Sequence, residues 1–191
     1  MPLTTLDPKT ALVVIDLQKG IVAFAAAQRA TELVNGVVEK SAALADAFRR
    51  RGLPVVLVNV DPGPQPRSER TPPRTGALPP DWKDIVAEMN PQPSDHRITK
   101  HTWGAFTHTD LEAWLRSQGV TEIVLCGIST SIGVESTARS AYELGFNIAF
   151  AVDAMADMSA EAHENSTARI FPRLGETAAT QEIINLVKKG A

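Results

Sequence analysis

Residues 11–15 read Ala-Leu-Val-Val-Ile, an unbroken apolar run that stops at a carboxylate, Asp16. A strand with one face in water alternates apolar and polar residues. A run with no polar member therefore describes a strand covered on both faces, as at the centre of a parallel sheet. Asp16 then lies at the C-terminal edge of that strand. Helices must cover both faces of such a sheet, and the next segment supplies one. Over 31–51, Leu33, Val37, Leu44 and Phe48 recur at helical spacing, Glu39, Lys40, Asp46 and Arg49 fill other positions, and Gly52 ends the pattern.

The alternation continues to the C-terminus. Residues 55–60 form a second strand, and residues 62–80 a long loop rich in Pro, Gly and Arg, read as part of the site rather than a linker. Residues 97–99 form a short third strand leading to Lys100. Thr109 and Glu112 can make a capping box for a helix through Leu111, Trp114 and Leu115 that stops at Gly119. Residues 123–126 form a fourth strand, closed by the turn Gly127-Ile-Ser-Thr-Ser-Ile-Gly133. A helix with Val134, Ala138 and Ala141 inward follows and ends at Gly145. A fifth strand (148–152), a helix (160–168), a weak strand (176–178) and a last helix capped by Thr180 complete the pattern, with Lys188 and Lys189 at the negative end of the last helix dipole. The expected fold is α/β, a mainly parallel sheet wrapped by helices, in one domain over 1–191.

Composition excludes several classes. No stretch approaches the roughly 18 to 20 apolar residues of a membrane span, and Met-Pro-Leu-Thr-Thr opens the sequence without a signal-peptide pattern, so a cytoplasmic protein with no membrane partner is expected. A net charge of -3 offers no basic field for a phosphate backbone, which argues against nucleic acid. Cys126 is the only cysteine, so neither an intrachain disulfide nor a cysteine-cluster zinc site can form.

In parallel sheets ligands bind at the carboxyl ends of the strands, where strand order reverses, and the first and fourth strands commonly flank that point. Asp16 and the 127–133 turn would then face each other, although Asp16 could equally serve as a cap or loop carboxylate. Lys100 is a possible partner. It begins Lys-His-Thr-Trp-Gly-Ala-Phe106, a cation among aromatics, whereas a solvated lysine and a core Phe106 are the plainer readings. The turn lacks a phosphate-loop lysine, but a helix starting near Ser131 would aim free N–H groups at an anion. Alternatively, its glycines serve only backbone shape. His96, His101, His108 and His163 have no metal-ligand spacing. Ser129, Thr130 and Ser131 lack a Gly-x-Ser-x-Gly frame and an assignable histidine base.

Taken in order, Thr10-Ala-Leu-Val-Val-Ile-Asp-Leu-Gln18, Thr99-Lys100, Gly127-Ile-Ser-Thr-Ser-Ile-Gly-Val134, Thr137-Ala138 and Tyr142-Glu-Leu-Gly145 resemble the isochorismatase-like hydrolases. The resemblance implies a three-layer α/β/α fold with a six-stranded parallel sheet of order 3-2-1-4-5-6. It also implies a cis peptide between Ile128 and Ser129 that aims the turn inward. Most relatives use an aspartate, a lysine and a nucleophilic cysteine. Asp16 and Lys100 match the first two, while Gly133 occupies the cysteine's position, as in the branch that cleaves a vinyl ether without a nucleophilic side chain. Ile132-Gly-Val134 and Val152-Asp-Ala-Met-Ala-Asp-Met-Ser159 are similar to that branch, with Trp103 where it tends to carry tyrosine. The Asp-x-His metal pattern of nicotinamidases is missing, Asp61 being followed by Pro-Gly-Pro.

The expected catalytic set is thus Asp16, Lys100 and Gly133, and the expected substrate-binding set is Phe24, Arg70, Trp103, Ile128, Ser129 and Ile132, with neither metal nor cofactor. Arg67 or Arg74 could replace Arg70 as a carboxylate clamp. Expected partners are a small anionic substrate and further copies of the chain in a dimer or tetramer. The expected reaction is isochorismate-type vinyl-ether hydrolysis with Asp16 as general acid. Two alternatives are a hydrolase in which Asp16 activates water and a binder that has lost its thiol. A nearby Lys100 cation would lower the Asp16 pKa and oppose the acid role unless burial offsets it.

Overall fold

The computed structural model describes residues 3–27, 31–63, 67–69 and 76–190. Its sheet has six parallel strands in the order β3-β2-β1-β4-β5-β6. They are β1 (Thr10–Ile15), β2 (Val55–Val60), β3 (His96–Lys100), β4 (Glu122–Ile128), β5 (Asn147–Ala156) and β6 (Glu176–Ala178). The helices are α1 (Lys19–Ala25), α2 (Thr31–Arg50), α3 (Leu111–Ser117), α4 (Glu135–Glu143), α5 (Ala160–Asn165), α6 (Phe171–Leu174) and α7 (Thr180–Lys189). The expected strand order holds, and strand order reverses at the neighbouring pair β1 and β4.

Every residue of β1 is buried. Leu12 and Val14 pack on one side with Val37, Phe48 and Ile183 of α2 and α7. Ala11, Val13 and Ile15 pack on the other side with Leu115, Ala138 and Phe171 of α3, α4 and α6. Two-sided burial is the physical reason the run carries no polar residue. The expected helix stops also hold. Gly52, Gly119 and Gly145 each follow a helix with positive φ (67°, 70° and 79°), where a side chain is disfavoured.

Several elements differ from expectation. Helix α1 has no counterpart in the sequence reading. Leu33 is 53% exposed, and Val34 turns inward instead. The start of α3 shifts to Asp110, with Thr109 Oγ1 accepting from the Leu111 N–H at 3.3 Å. Glu112 lies 3.8 Å from Arg116, and so faces along the helix rather than completing a box. Ala179, not Thr180, is the N-cap of α7, and the Glu182 carboxylate accepts the Ala179 N–H at 2.8 Å. Thr180 instead donates through N and Oγ1 to Asp153 Oδ1 (2.6 and 2.8 Å). Asp153 is a strand residue whose charge is met by Lys40 at 3.0 Å, which is why β5 runs past the 152 limit read from the apolar pattern. The helix expected over 160–168 is α5 followed by a π turn at Ser166–Ile170.

Phe150 of β5 stacks on Phe171 of α6 with ring centroids 4.1 Å apart, both fully buried. Phe150→Ala should lower unfolding free energy by about 3–5 kcal/mol in urea melts. Leu33→Ala should change it by no more than about 0.5 kcal/mol, as expected for an exposed side chain.

Candidate active site

Asp16 directly follows β1 with φ 54°, a left-handed backbone that takes the chain out of the strand immediately after Ile15. Its N–H donates to the Val58 carbonyl at 2.9 Å, which ties the bend to β2. Gln18, fully buried, fastens the same region. Its Nε2 donates to the carbonyls of Val60 and Trp82 (3.0 and 3.1 Å), and its Oε1 accepts from the Val60 N–H (2.7 Å). Lys100 ends β3, and its ammonium reaches Asp16 Oδ2 at 2.8 Å and the Trp103 carbonyl at 2.7 Å. The lysine is 2% exposed and the aspartate 6%. Asp16 Oδ1 is buried and has no hydrogen-bond partner among the described residues.

The two forces on Asp16 oppose each other. Burial penalises the anion and raises its pKa; the Lys100 charge and hydrogen bond lower it. Burial wins, and the carboxyl is raised from 3.8 to about 6. The opposition expected from the sequence is therefore present but outweighed.

Gly133 completes the constellation. It lies in a π turn (Thr130–Val134) between β4 and α4, and a Cβ built on it would lie 3.3 Å from both Asp16 Oδ2 and Lys100 Nζ. The Ile128–Ser129 peptide is cis, as expected. Thr137, also fully buried, donates to the Gly133 carbonyl at 2.7 Å and accepts the Ala105 N–H at 3.1 Å, joining the turn to the loop after β3.

Other expected site residues fare differently. The side chain of Ile128 belongs to the apolar core beside Val124 and Cys126, so only its main chain could meet a ligand. Ser129 spends its carbonyl on the N–H groups of Ile132 and Val134, both at 3.2 Å. The Ser131 N–H donates to Asp157 at 2.7 Å. These N–H groups are thus engaged inside the protein rather than free toward an anion, because the turn is wound as a π turn and α4 starts only at Glu135. Ile132, Phe24 and Trp103 are 40%, 55% and 67% exposed. Trp103 serves Lys100 through its carbonyl, and its ring lies in solvent. Phe106 packs near Phe146 (5.9 Å) in the core cluster, the plainer of its two readings. Arg67 is exposed, and Arg70 and Arg74 lie outside the described residues. Asp61 pairs with Lys83 at 3.2 Å. A groove of about 520 Å³ lies beside the edge strand β3, where Lys19 and Lys83 are already paired with aspartates. Neither Asp16 nor Lys100 lines it.

Cys126 is fully buried on the α2 side of β4, and burial pushes its thiol up to about 12. Sequence reasoning missed Gln18, Thr137 and the histidine that meets Thr130. Thr130 Oγ1 and His163 Nδ1 share a hydrogen bond of 2.9 Å, although the hydroxyl belongs to a residue with no exposed surface.

The isochorismatase domain model matches residues 10–182. The chain belongs to the isochorismatase family. It is 46% identical over 183 residues to the isochorismatase family protein YecD of Escherichia coli O157:H7, covering 92% of this chain and 95% of that one. It is 42% identical over 186 residues to YwoC of Bacillus subtilis strain 168, another isochorismatase family protein, covering 94% and 95%. A solved isochorismatase family protein from Burkholderia thailandensis superposes with a TM-score of 0.86 at 41% identity, covering 96% and 98%. This chain is accordingly an isochorismatase-family hydrolase.

Replacing Lys100 by methionine keeps the burial of Asp16 and removes both influences that lower its pKa. Lys100→Met should therefore move the Asp16 titration above about 6, followed by carboxyl-carbon NMR. A return toward 3.8 would show that burial does not govern this carboxyl.

Proposed function

We propose that this hydrolase cleaves a vinyl ether of the isochorismate type, with Asp16 as general acid and no covalent intermediate. The observation that carries the reading is a buried carboxyl whose Oδ1 has no hydrogen-bond partner among the described residues, beside Gly133, which itself carries no nucleophile. Protonated Asp16 gives its proton to the terminal methylene carbon, and the ether oxygen stabilises the resulting oxocarbenium ion. Water adds to that ion and returns a proton to Asp16. The hemiketal then collapses to pyruvate and an alcohol, so one water is consumed and the carboxyl is regenerated.

An ammonium has three donors, and Asp16 and Trp103 take two of those on Lys100. No bond from the third is seen among the described residues, and it would meet a substrate carboxylate. Ile132, Trp103 and Phe24 would contact the apolar part of the substrate from the exposed side. Arg67, Arg70 or Arg74 would clamp the carboxylate from the loop.

One observation favours a second reading, in which Asp16 activates water as a base. With a pKa of about 6, most of the carboxyl is ionised at pH 7. The two readings have opposite pH signatures, because kcat/KM reports the free enzyme. If Asp16 acts as an acid, the active form is protonated. kcat/KM for pyruvate release from isochorismate should then be level below about pH 6 and fall about tenfold per unit above it. If it acts as a base, kcat/KM rises through the same window, with amides or esters turned over and no pyruvate formed.

In either role Asp16→Asn should lower turnover by about 10²- to 10⁴-fold while leaving binding largely intact. Full activity in that variant would remove Asp16 from the chemistry. Thiol alkylation should leave turnover unchanged, since the buried Cys126 thiol stays protonated. Loss of activity in step with Cys126 modification, in protein that remains folded, would return the chain to the thiol hydrolases.

A further inference from the structure

The turn that carries Gly133 is held at two successive residues by one distant segment. Thr130 Oγ1 bonds to His163 Nδ1 at 2.9 Å. Ser131 donates to Asp157 Oδ2 through both its N–H (2.7 Å) and its hydroxyl (2.8 Å). The other oxygen of Asp157 accepts the Ser159 N–H at 3.2 Å, and Ser159 in turn caps α5, the helix that bears His163. The carboxylate, the cap and the imidazole therefore form one piece between the end of β5 and α5. None of these groups hydrogen-bonds to Asp16 or Lys100.

Apolar packing fixes the far end of the turn, where Val134 is fully buried in the core, but does little at residues 131 and 132. Ile132 is 40% exposed and Ser131 half-buried, whereas Thr130 and Asp157 are buried. The depth of the turn matters because of the clearances at Gly133. A Cβ there would lie 3.3 Å from both charged groups and 3.0 Å from Ile15 Cγ2, so a displacement of a few tenths of an ångström changes what fits beside Asp16. Turnover is sensitive to misplacement on this scale.

We propose that His163 and Asp157 are positioning residues that set the depth of the Gly133 turn against the Asp16–Lys100 pair. The kinetic side of this proposal rests on the reading of Asp16 as the reacting group; the structural side does not. His163 acts through Thr130, and Asp157 through Ser131. The imidazole serves as a hydrogen-bonding partner placed at Nδ1, not as a base for a threonine nucleophile, since Thr130 has no exposed surface.

The test compares His163→Leu with His163→Asn, whose amide keeps a hydrogen-bonding atom near the place of Nδ1. Thr130→Val and the Thr130→Val/His163→Leu double variant close a cycle. Amide exchange over residues 129–134 is read by mass spectrometry, and kcat and KM are read from pyruvate release with isochorismate. His163→Leu should speed exchange across the turn about tenfold or more. It should also lower kcat by about ten- to a hundredfold while KM moves within about threefold. His163→Asn should restore most of both, and the double variant should be no worse than the worse single one. Asp157→Asn should speed exchange at Ser131 in the same way, which keeps the test decisive if His163→Leu folds poorly. Unchanged exchange in His163→Leu and Asp157→Asn would overturn the proposal. So would equal losses in His163→Leu and His163→Asn, which would make size rather than hydrogen bonding the cause. If the unaltered protein releases no pyruvate, the vinyl-ether reading fails, and the exchange pattern still decides the positioning role.

Discussion

The ion pair between Asp16 and Lys100 is the constraint around which the crevice is organised. The two residues end strands that are not neighbours, since β2 lies between β1 and β3. Two strand spacings amount to roughly 10 Å, and a lysine is long enough to cross that gap to a short aspartate. An isolated charge at this depth would be costly, and a pair is tolerated only when its geometry and hydrogen bonds are good. The 2.8 Å contact and the Trp103 carbonyl supply these on the lysine side. On the aspartate side only one oxygen is served among the described residues. That asymmetry leaves a raised pKa and a bare carboxyl oxygen where most buried carboxylates would be fully bonded.

Holding such a pair requires rigid surroundings, and the surrounding polar bonds are nearly all long-range. Gln18 locks the end of β1 to the end of β2 and to the loop at Trp82. Thr137 locks the loop after β3 to the turn after β4. Asp157 and His163 lock that turn to the segment after β5. Each joins loops that leave the carboxyl ends of different strands. A parallel sheet places all of those loops at one edge, so a few polar side chains can fasten together the ends of five strands around the site.

This division explains what could be read from the sequence. Strands β1, β2 and β4 announce themselves as apolar runs, and the glycine stops after α2, α3 and α4 follow from backbone sterics, so the layer pattern was legible. Asp16, Lys100 and Gly133 were legible because each sits at a strand end or turn and because their order along the chain matches a known family. The fasteners were not. Gln18, Thr137, Asp157 and His163 are ordinary polar residues whose long-range partners lie 26 to 64 positions away, and local pattern assigns such residues to caps or solvent. The place of the Ile128 side chain was not legible either, for a related reason. Its neighbours in sequence form the turn, but strand alternation continues through it and buries its side chain beside Val124 and Cys126.

The two glycines that bound the turn are there for different physical reasons. Gly127 has φ 117°, and a Cβ on it would stand 2.1 Å from the Ile15 carbonyl oxygen, so the main chain of β1 forbids any other residue. Gly133 has no left-handed φ, and its tightest clash would be with a side-chain methyl of Ile15 at 3.0 Å, which can give by a few tenths of an ångström. The backbone at Gly133 therefore tolerates a side chain that the backbone at Gly127 does not. What a side chain at Gly133 would take away is the space beside Asp16 Oδ2 and Lys100 Nζ. Backbone shape is a sufficient account of one glycine and not of the other, and the second glycine faces the only buried carboxyl in the crevice that has an oxygen left without a partner among the described residues.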